Sequence, residues 1–306
     1  MRDTLETTRD RLEDSNPHAA QTLTDRVAAR LPLRRQLLGV GMAALLGRLA
    51  PGVGLGVAGG CASSGGPATH TRLGFQSVPL DGQDRVSVPA GYVVQVLFRW
   101  GDPVGVPGAM PPFRPDASNS AEEQALQAGM HHDGLHYFPL EGARRGLLCV
   151  NHEYVDDGLL HVGGQVPWTA EKVAKSQAAH GVSVIEVEAR GARFEVARPS
   201  RFARRITATT PCAIAGPARG HRLLRTAADP EGRRVLGTLA NCAHGATPWG
   251  TYLTCEENFR DYFRGPEAPN AHEQRWGLRP RDLWYRWSEH DERFDARRHP
   301  NEPNRF

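Results

Sequence analysis

Short apolar segments separated by turns recur along most of the chain, and this spacing is the feature that most constrains its fold. Alternating and β-branched residues predict strands in these segments, because successive side chains of a strand point to opposite faces. The predicted strands cover residues 92–100, 135–139, 146–150, 182–187, 193–196, 202–208, 234–239 and 251–257. A series of short strands joined by turns predicts an all-β fold.

Helices are expected to be few. The clearest one covers residues 168–180, where Thr169 is placed to cap the N-terminus and Gly181 to occupy the first position beyond the C-terminal cap. It interrupts the strand series and is interpreted as a short helical insertion. A shorter helix is predicted within residues 121–129.

The amino-acid composition excludes several kinds of partner and binding site. The net charge is +3 with acidic and basic residues interspersed, so nucleic acid is not an expected partner. Lys172 and Lys175 are the only lysines, which excludes a Walker-type lysine and leaves arginine, backbone or metal to hold any phosphate group. The five cysteines include no C-x-x-C pair and are too few for a disulfide scaffold.

Residues 241–259, with the sequence NCAHGATPWGTYLTCEENF, have the composition of a functional site. Pro248 and Gly250 predict a turn that holds Cys242 near the end of the predicted strand 251–257. Alternation in that strand puts Glu257 on one face and Glu256 on the other, so only one of the two glutamates faces a given site.

Spacing alone leaves two interpretations of this stretch open. A thiolate combined with a carboxylate suits iron or zinc, whereas carboxylates with carbonyl and amide oxygens suit calcium or magnesium. The alternative is a disulfide between Cys242 and Cys255 that closes a hairpin, with both glutamates solvated.

A second candidate group lies at the end of the predicted strand 146–150, which runs into Asn151, His152 and Glu153. A strand end holds side chains at a fixed rim, so these three residues are candidate metal ligands, and the alternative is a hydrogen-bonded strand exit. Asp133, before a glycine, is predicted to form a turn. No role is assigned to His131, His132, His221 or His244.

The run TPWGTYLTCEENF closely resembles the characteristic motif of the PhoX family of bacterial alkaline phosphatases. Further matching motifs are HDG at 132–134, NHEY at 151–154, RITATTP at 205–211, AGPARGH at 215–221 and TAADPEG at 226–232. The resemblance covers roughly residues 74–306. It implies a periplasmic phosphomonoesterase on a six-bladed β-propeller, with iron and calcium ions gathered at the central channel.

On this resemblance, the Cys242 thiolate is expected to hold Fe3+ together with Glu153 and Glu257, beside neighbouring Ca2+. Glu256, on the opposite strand face, is expected to support these ligands or to bind calcium. The substrate is a phosphate ester and the protein a monomer. Two alternatives remain: a phosphodiesterase or lactonase-type metal hydrolase on the same propeller, and a non-catalytic propeller that binds a partner on its rim.

Residues 1–61 resemble a Tat-type export signal, which implies the Tat export machinery as a partner and a periplasmic or secreted location. Residues 1–32 are polar and expected to be disordered. Arg34 and Arg35 then precede an apolar run, although Leu33 stands where Ser or Thr is usual. Ala58 replaces the large aliphatic residue of a lipobox, so ordinary cleavage is favoured over a lipoprotein anchored through Cys61. Residues 62–76 are a predicted linker.

Residues 77–306 are interpreted as about the first half of a propeller. Residues 297–306 end in a Pro- and Asn-rich approach to what is expected to be another strand. Because the last blade of a propeller covers the edge of the first, we expect this portion alone to be unstable or inactive.

Overall fold

Antiparallel strand pairing organises the part of the chain that the structure describes. The computed structural model describes residues 75–80, 82–281 and 283–302. The predicted export signal at 1–61 and all but the last two residues of the predicted linker at 62–76 lie outside the described residues.

The strands are β1 His132–Glu141, β2 Arg145–His152, β3 Gly181–Arg190, β4 Arg193–Val196, β5 Arg204–Ile206, β6 Pro211–Ala213, β7 Arg234–Leu236, β8 Asn241–Ala246 and β9 Tyr252–Glu256. The α-helices are α1 Ala121–Gln124, α2 Asp157–Leu160, α3 Ala170–Ala178 and α4 Ala271–Trp276. Short 3-10 helices cover Arg222–Leu224, Phe259–Asp261, Trp287–Glu289, Glu292–Phe294 and Ala296–Arg298.

The largest sheet places β1, β2 and β3 side by side, all antiparallel, and both β4 and β5 pair with the far edge of β3. β6 pairs with β7, and β8 pairs with β9, in two further two-stranded sheets. The expectation of a mostly β protein with few helices is confirmed. Within the described residues these sheets do not close into a ring, so the six-bladed propeller stays a prediction.

The hairpin of β1 and β2 sets the position of the functional residues. Its turn lies where predicted, at residues 141–145, and its register places His132 opposite His152. An irregularity between His132 and Leu135 interrupts the pairing at the start of β1. The first residues of β1 and the residues that follow β2 therefore lie at one end of the sheet.

Helix α3 confirms the predicted insertion. The Thr169 side chain accepts a hydrogen bond from the Lys172 backbone N–H, as expected of an N-cap. The C-terminal cap is Ala179, so Gly181 lies one position later than predicted and begins β3. Its φ of 101° and the Ile206 carbonyl oxygen, 2.0 Å from where a Cβ would be, both require glycine there.

The strand predicted at 92–100 is wrong. Its alternation would have packed Tyr92, Val94 and Val96 on one face, but these side chains are 55%, 48% and 61% exposed. In the described part of the chain no strand pairs with this segment, and only the Gln95 side chain exchanges hydrogen bonds with the backbone of Phe194 on β4. Alternation stabilises a strand only where a partner covers one face.

An aromatic core lies on the C-terminal side of the fold. The buried rings of Tyr262, Tyr285 and Trp287 surround the imidazole of His180, with centroid distances of 5.0 to 5.4 Å. His180 Nε2 also lies 3.0 Å from the Tyr262 hydroxyl. This packing fixes the end of α3 and the start of β3. No helix among the described residues has the length and apolarity that a membrane crossing requires.

Candidate metal centre

Three acidic side chains from distant parts of the chain meet at one end of the large sheet. One ligand atom each of Asp133, Glu153 and Cys242 lies within 4.8 Å of the others, and all three residues are partly buried. Asp133 is the second residue of β1, Glu153 directly follows β2, and Cys242 belongs to β8. We call these residues the acidic triad.

Asn151 joins the β8–β9 hairpin to β2. Its side-chain amide donates to the carbonyl oxygen of Cys242 at 2.8 Å. Its amide oxygen accepts from the hydroxyl groups of Tyr252 at 2.8 Å and Thr254 at 3.1 Å. Asn151 is fully buried, so these bonds replace water and hold the backbone of Cys242 beside Asn151, two residues before Glu153.

Gly134 permits the close approach of the hairpin to β1. A Cβ at this position would lie 2.7 Å from the carbonyl oxygen of Cys242 and 2.8 Å from the Cβ of His244. Both distances are below van der Waals contact. The neighbouring residue Asp133 therefore reaches Cys242 because a residue without a side chain follows it.

The two glutamates that follow one another at the end of β9 point in different directions, as the alternation predicts. Glu256 accepts hydrogen bonds from the hydroxyl of Thr238 at 2.6 Å and the backbone N–H of Leu239 at 3.1 Å, so it supports the loop before β8. Glu257 influences Cys242 electrostatically, since it is the largest cause of the raised pKa of that thiol. The structure brings Glu153 and Cys242 together with Asp133 and places Glu256 elsewhere, while a ligand role for Glu257 stays a prediction.

Accumulated negative charge defines the electrostatics of the site. Hydrogen bonding to Glu257 and Asp133 raises the pKa of the Cys242 thiol to about 12. Burial, followed by the charges of Asp133 and Glu257, raises the pKa of Glu153. Like charges at close range favour protonated groups, and a multivalent cation relieves the same repulsion. The donor set therefore fits a cation.

The structure contradicts several other sequence predictions for this region. The disulfide alternative is wrong, because Cys242 and Cys255 are both free thiols. The prediction that Asp133 only forms a turn is also wrong, since its carboxylate joins the acidic triad. The Asn151 amide and the His152 imidazole do not join it: Asn151 docks the hairpin, and Nε2 of His152 lies 2.6 Å from the Ser183 hydroxyl.

The four unassigned histidines have structural contacts. His131 stacks on Tyr154 with a centroid distance of 3.8 Å, and His132 packs against Phe98. His221 caps a 3-10 helix through Nδ1, and His244 stacks on Tyr252.

Asp133 is a candidate ligand that the sequence analysis does not assign, although the sequence contains a signal for it. The two predicted strands and the turn between them define a hairpin register, which places the residues near 133 opposite those near 152. A carboxylate at one strand start and another just beyond the partner's end are then neighbours. Taken without this strand pairing, the Asp-Gly pair predicts only a turn.

Comparison with known proteins identifies the family. A family model described as "Alkaline phosphatase PhoX" matches residues 73–306. This chain belongs to the PhoX alkaline phosphatase family. A search of curated proteins gave no match.

One solved structure shares the PhoX fold of this chain. It is Pseudomonas fluorescens PhoX in complex with vanadate, which its description calls a transition state analogue. The sequences are 41% identical, and the superposition has a TM-score of 0.70 over 75% of this chain. The same match covers 40% of the P. fluorescens chain, so the 306-residue chain corresponds to less than half of that PhoX protein. The resemblance in the motifs is confirmed.

Proposed function

We propose that this chain provides a metal centre at which phosphate monoesters are hydrolysed. The observation that carries the proposal is the convergence of Asp133, Glu153 and Cys242 within 4.8 Å in a chain of the PhoX family. Nothing in packing requires two carboxylates and a thiol to meet, and their mutual repulsion opposes it.

The kinds of ligand atom at the site indicate which ions it would bind. A thiolate suits iron, so Cys242 is the proposed Fe3+ ligand, with Glu153 and Asp133 as carboxylate ligands. Oxygen donors alone suit Ca2+, and Glu257 together with the triad carboxylates supplies them. Bound cations would neutralise phosphoryl oxygens and activate the oxygen that attacks phosphorus. Glu256 is proposed to support the site indirectly through the loop at Thr238.

The chain's own residues keep the ligands in place before any cation binds. Asn151 fixes the carbonyl of Cys242, and the backbone N–H of Glu153 donates to the carbonyl of His131 at 3.0 Å. The Cys242 proton, held by the neighbouring carboxylates, leaves when the thiol becomes a ligand, so metal binding releases protons.

The substrate class follows from the relative. Vanadate is bound by P. fluorescens PhoX as a transition state analogue, and we extend phosphoryl chemistry to this chain from 41% identity. Lys172 and Lys175, the only lysines, bond to the backbone carbonyls of Gly164 and Ala117, so neither is directed to a phosphate. We further propose a six-bladed propeller for the whole protein, a monomeric state, and export through the Tat pathway to the periplasm.

Metal content and hydrolysis test the proposal together. The 306-residue chain is purified and its iron and calcium are measured by mass spectrometry for wild type, Cys242→Ser and Glu153→Gln. We expect both variants to lose iron, while the matched controls Cys255→Ser and Glu256→Gln keep it. Metal content is the primary readout, because hydrolysis is a property of the whole protein.

Hydrolysis by the whole protein is then compared for p-nitrophenyl phosphate and bis-p-nitrophenyl phosphate. Faster, metal-dependent turnover of the monoester supports the proposal, and preference for the diester supports the phosphodiesterase alternative. Iron retained in Cys242→Ser would remove the thiol from the centre whatever the substrate.

A further inference from the structure

The buried hydroxyl of Tyr285 holds the chain just beyond Glu153. It accepts a hydrogen bond from the backbone N–H of Val155 at 3.0 Å and donates one to the carbonyl oxygen of the same residue at 3.2 Å. The two residues are 130 positions apart in the chain, and both are buried. A side chain from the C-terminal part of the chain therefore fixes the backbone two residues after a proposed metal ligand.

Strand pairing no longer holds the backbone at this place. The register of β2 with both of its neighbouring strands ends at His152. One further backbone bond follows, from the N–H of Glu153 to the carbonyl oxygen of His131 at 3.0 Å. The Tyr285 hydroxyl bonds to the N–H and the C=O of a single residue, as the opposite residue does in a hydrogen-bonded pair of an antiparallel sheet. It thus takes the place of a strand partner and leaves Glu153 between two fixed points.

Tyr285 is itself held by the aromatic core. Its ring stacks on Tyr262 with a centroid distance of 4.4 Å and lies 5.3 Å from the ring of Trp287. The indole N–H of Trp287 donates to the Ser176 hydroxyl on α3 at 3.0 Å. Burial raises the pKa of Tyr285 to about 12, so its hydroxyl remains a donor at neutral pH. A rigid aromatic support therefore presents one polar atom to Val155.

Two tyrosines of the same core have different partners. The Tyr262 hydroxyl lies 3.0 Å from Nε2 of His180, and Nδ1 of His180 lies 2.7 Å from the carbonyl oxygen of Ser176. These contacts join Tyr262 to α3, whereas those of Tyr285 reach the segment that carries Glu153. A buried tyrosine hydroxyl normally finds some partner, so the bonds of Tyr262 need no role at the metal centre. Tyr262 is therefore a matched control for a hydroxyl that stabilises the core alone.

We propose that Tyr285 is a positioning residue of the metal centre: its hydroxyl holds Val155, and through it the Glu153 carboxylate, in place before a cation binds. This inference rests on the proposed function, in which Glu153 is a metal ligand. A ligand on a fixed backbone loses less conformational freedom when the cation binds. The hydroxyl therefore raises the affinity for the cation without touching it.

Cobalt titration of the whole 306-residue chain in its metal-free form tests the proposal. Co2+ is the probe, because its absorption reports binding to a site with thiolate and carboxylate ligands. The Kd is measured for wild type, Tyr285→Phe, Tyr262→Phe and Glu153→Gln. Phenylalanine keeps the ring and removes only the hydroxyl. We expect both tyrosine variants to lower the Tm, but only Tyr285→Phe to weaken Co2+ binding, by roughly tenfold.

The Glu153→Gln background separates positioning from a general loss of structure. Because Tyr285 is proposed to act through Glu153, Tyr285→Phe should cause no further loss of affinity in Glu153→Gln protein. A further loss of the same size there, or wild-type affinity in Tyr285→Phe alone, would overturn the positioning role and leave the metal centre standing. Wild-type affinity in Glu153→Gln would overturn the proposed ligand, and this inference with it.

Amide hydrogen exchange at Val155 decides the matter should Tyr285→Phe fail to fold. The measurement uses metal-free wild-type protein, in which the hydroxyl is proposed to hold the segment already. A Val155 amide protected from exchange supports the inference. Exchange at the rate of an amide without a hydrogen bond would show that Tyr285 does not hold the segment beyond Glu153, and would overturn it.

Discussion

Replacing Asn151 with alanine tests how the hairpin that carries Cys242 is docked. The substitution removes three buried hydrogen bonds, to the Cys242 carbonyl at 2.8 Å, the Tyr252 hydroxyl at 2.8 Å and the Thr254 hydroxyl at 3.1 Å. At about 1 kcal/mol for each bond, the expected loss in the free energy of unfolding is about 3 kcal/mol. For a domain of this size that corresponds to a fall in Tm of about 6–12 °C.

The same change should weaken metal binding. Residues that orient a ligand without touching the metal typically contribute roughly 10- to 100-fold in affinity, and Asn151 fixes the backbone of a proposed ligand. Urea unfolding gives the free energy, and titration with iron gives the affinity. The matched control is Cys255→Ser on the exposed side of the same hairpin. Unchanged stability and affinity in Asn151→Ala would refute the view that this amide positions Cys242.

Three further perturbations address close packing, acid stability and thiol reactivity. Gly134→Ala should cost roughly 1–3 kcal/mol and lower metal content, because its Cβ would overlap the hairpin; wild-type stability by urea unfolding would contradict this. Burial lowers the pKa of His180 to about 3, so the unfolded state binds the extra proton between pH 6.5 and 3, and stability falls with falling pH by up to ~1.4 kcal/mol per unit. His180→Gln should lose less stability than the wild type between pH 7.5 and 5.5. A pH dependence equal to that of the wild type would show that His180 does not cause the loss of stability. In metal-free protein at pH 8, Glu257→Gln should lower the pKa of Cys242 and accelerate its alkylation, measured by mass spectrometry, whereas Glu256→Gln should not; equal rates would show that Glu257 does not act on the thiol.

Local pattern was sufficient for the elements whose stabilising contacts are close in sequence. The hairpin of β1 and β2, the hairpin of β3 and β4, and the capped helix at Thr169 all appear where alternation and capping predict them. Each depends on a turn or a cap within a few residues. The opposite faces of Glu256 and Glu257 follow from the same period-two geometry.

Local sequence pattern does not predict the features that depend on residues distant in the chain. The segment 92–100 has the pattern of a strand but forms none, because no described strand pairs with it. Asp133 lies near Glu153 through the register of β1 and β2, but it meets Cys242 only because the β8–β9 hairpin lies against β1 at Gly134. Long-range pairing decided both outcomes, and neither is encoded in the neighbouring residues alone.

The most direct test of the account is X-ray absorption at the iron edge on the purified, iron-loaded chain. We predict a sulfur scatterer among the iron ligands of the wild type, lost in Cys242→Ser and retained in Cys255→Ser. An iron site with only oxygen and nitrogen ligands in the wild type, or a sulfur signal that survives Cys242→Ser, would contradict the metal centre proposed from Asp133, Glu153 and Cys242.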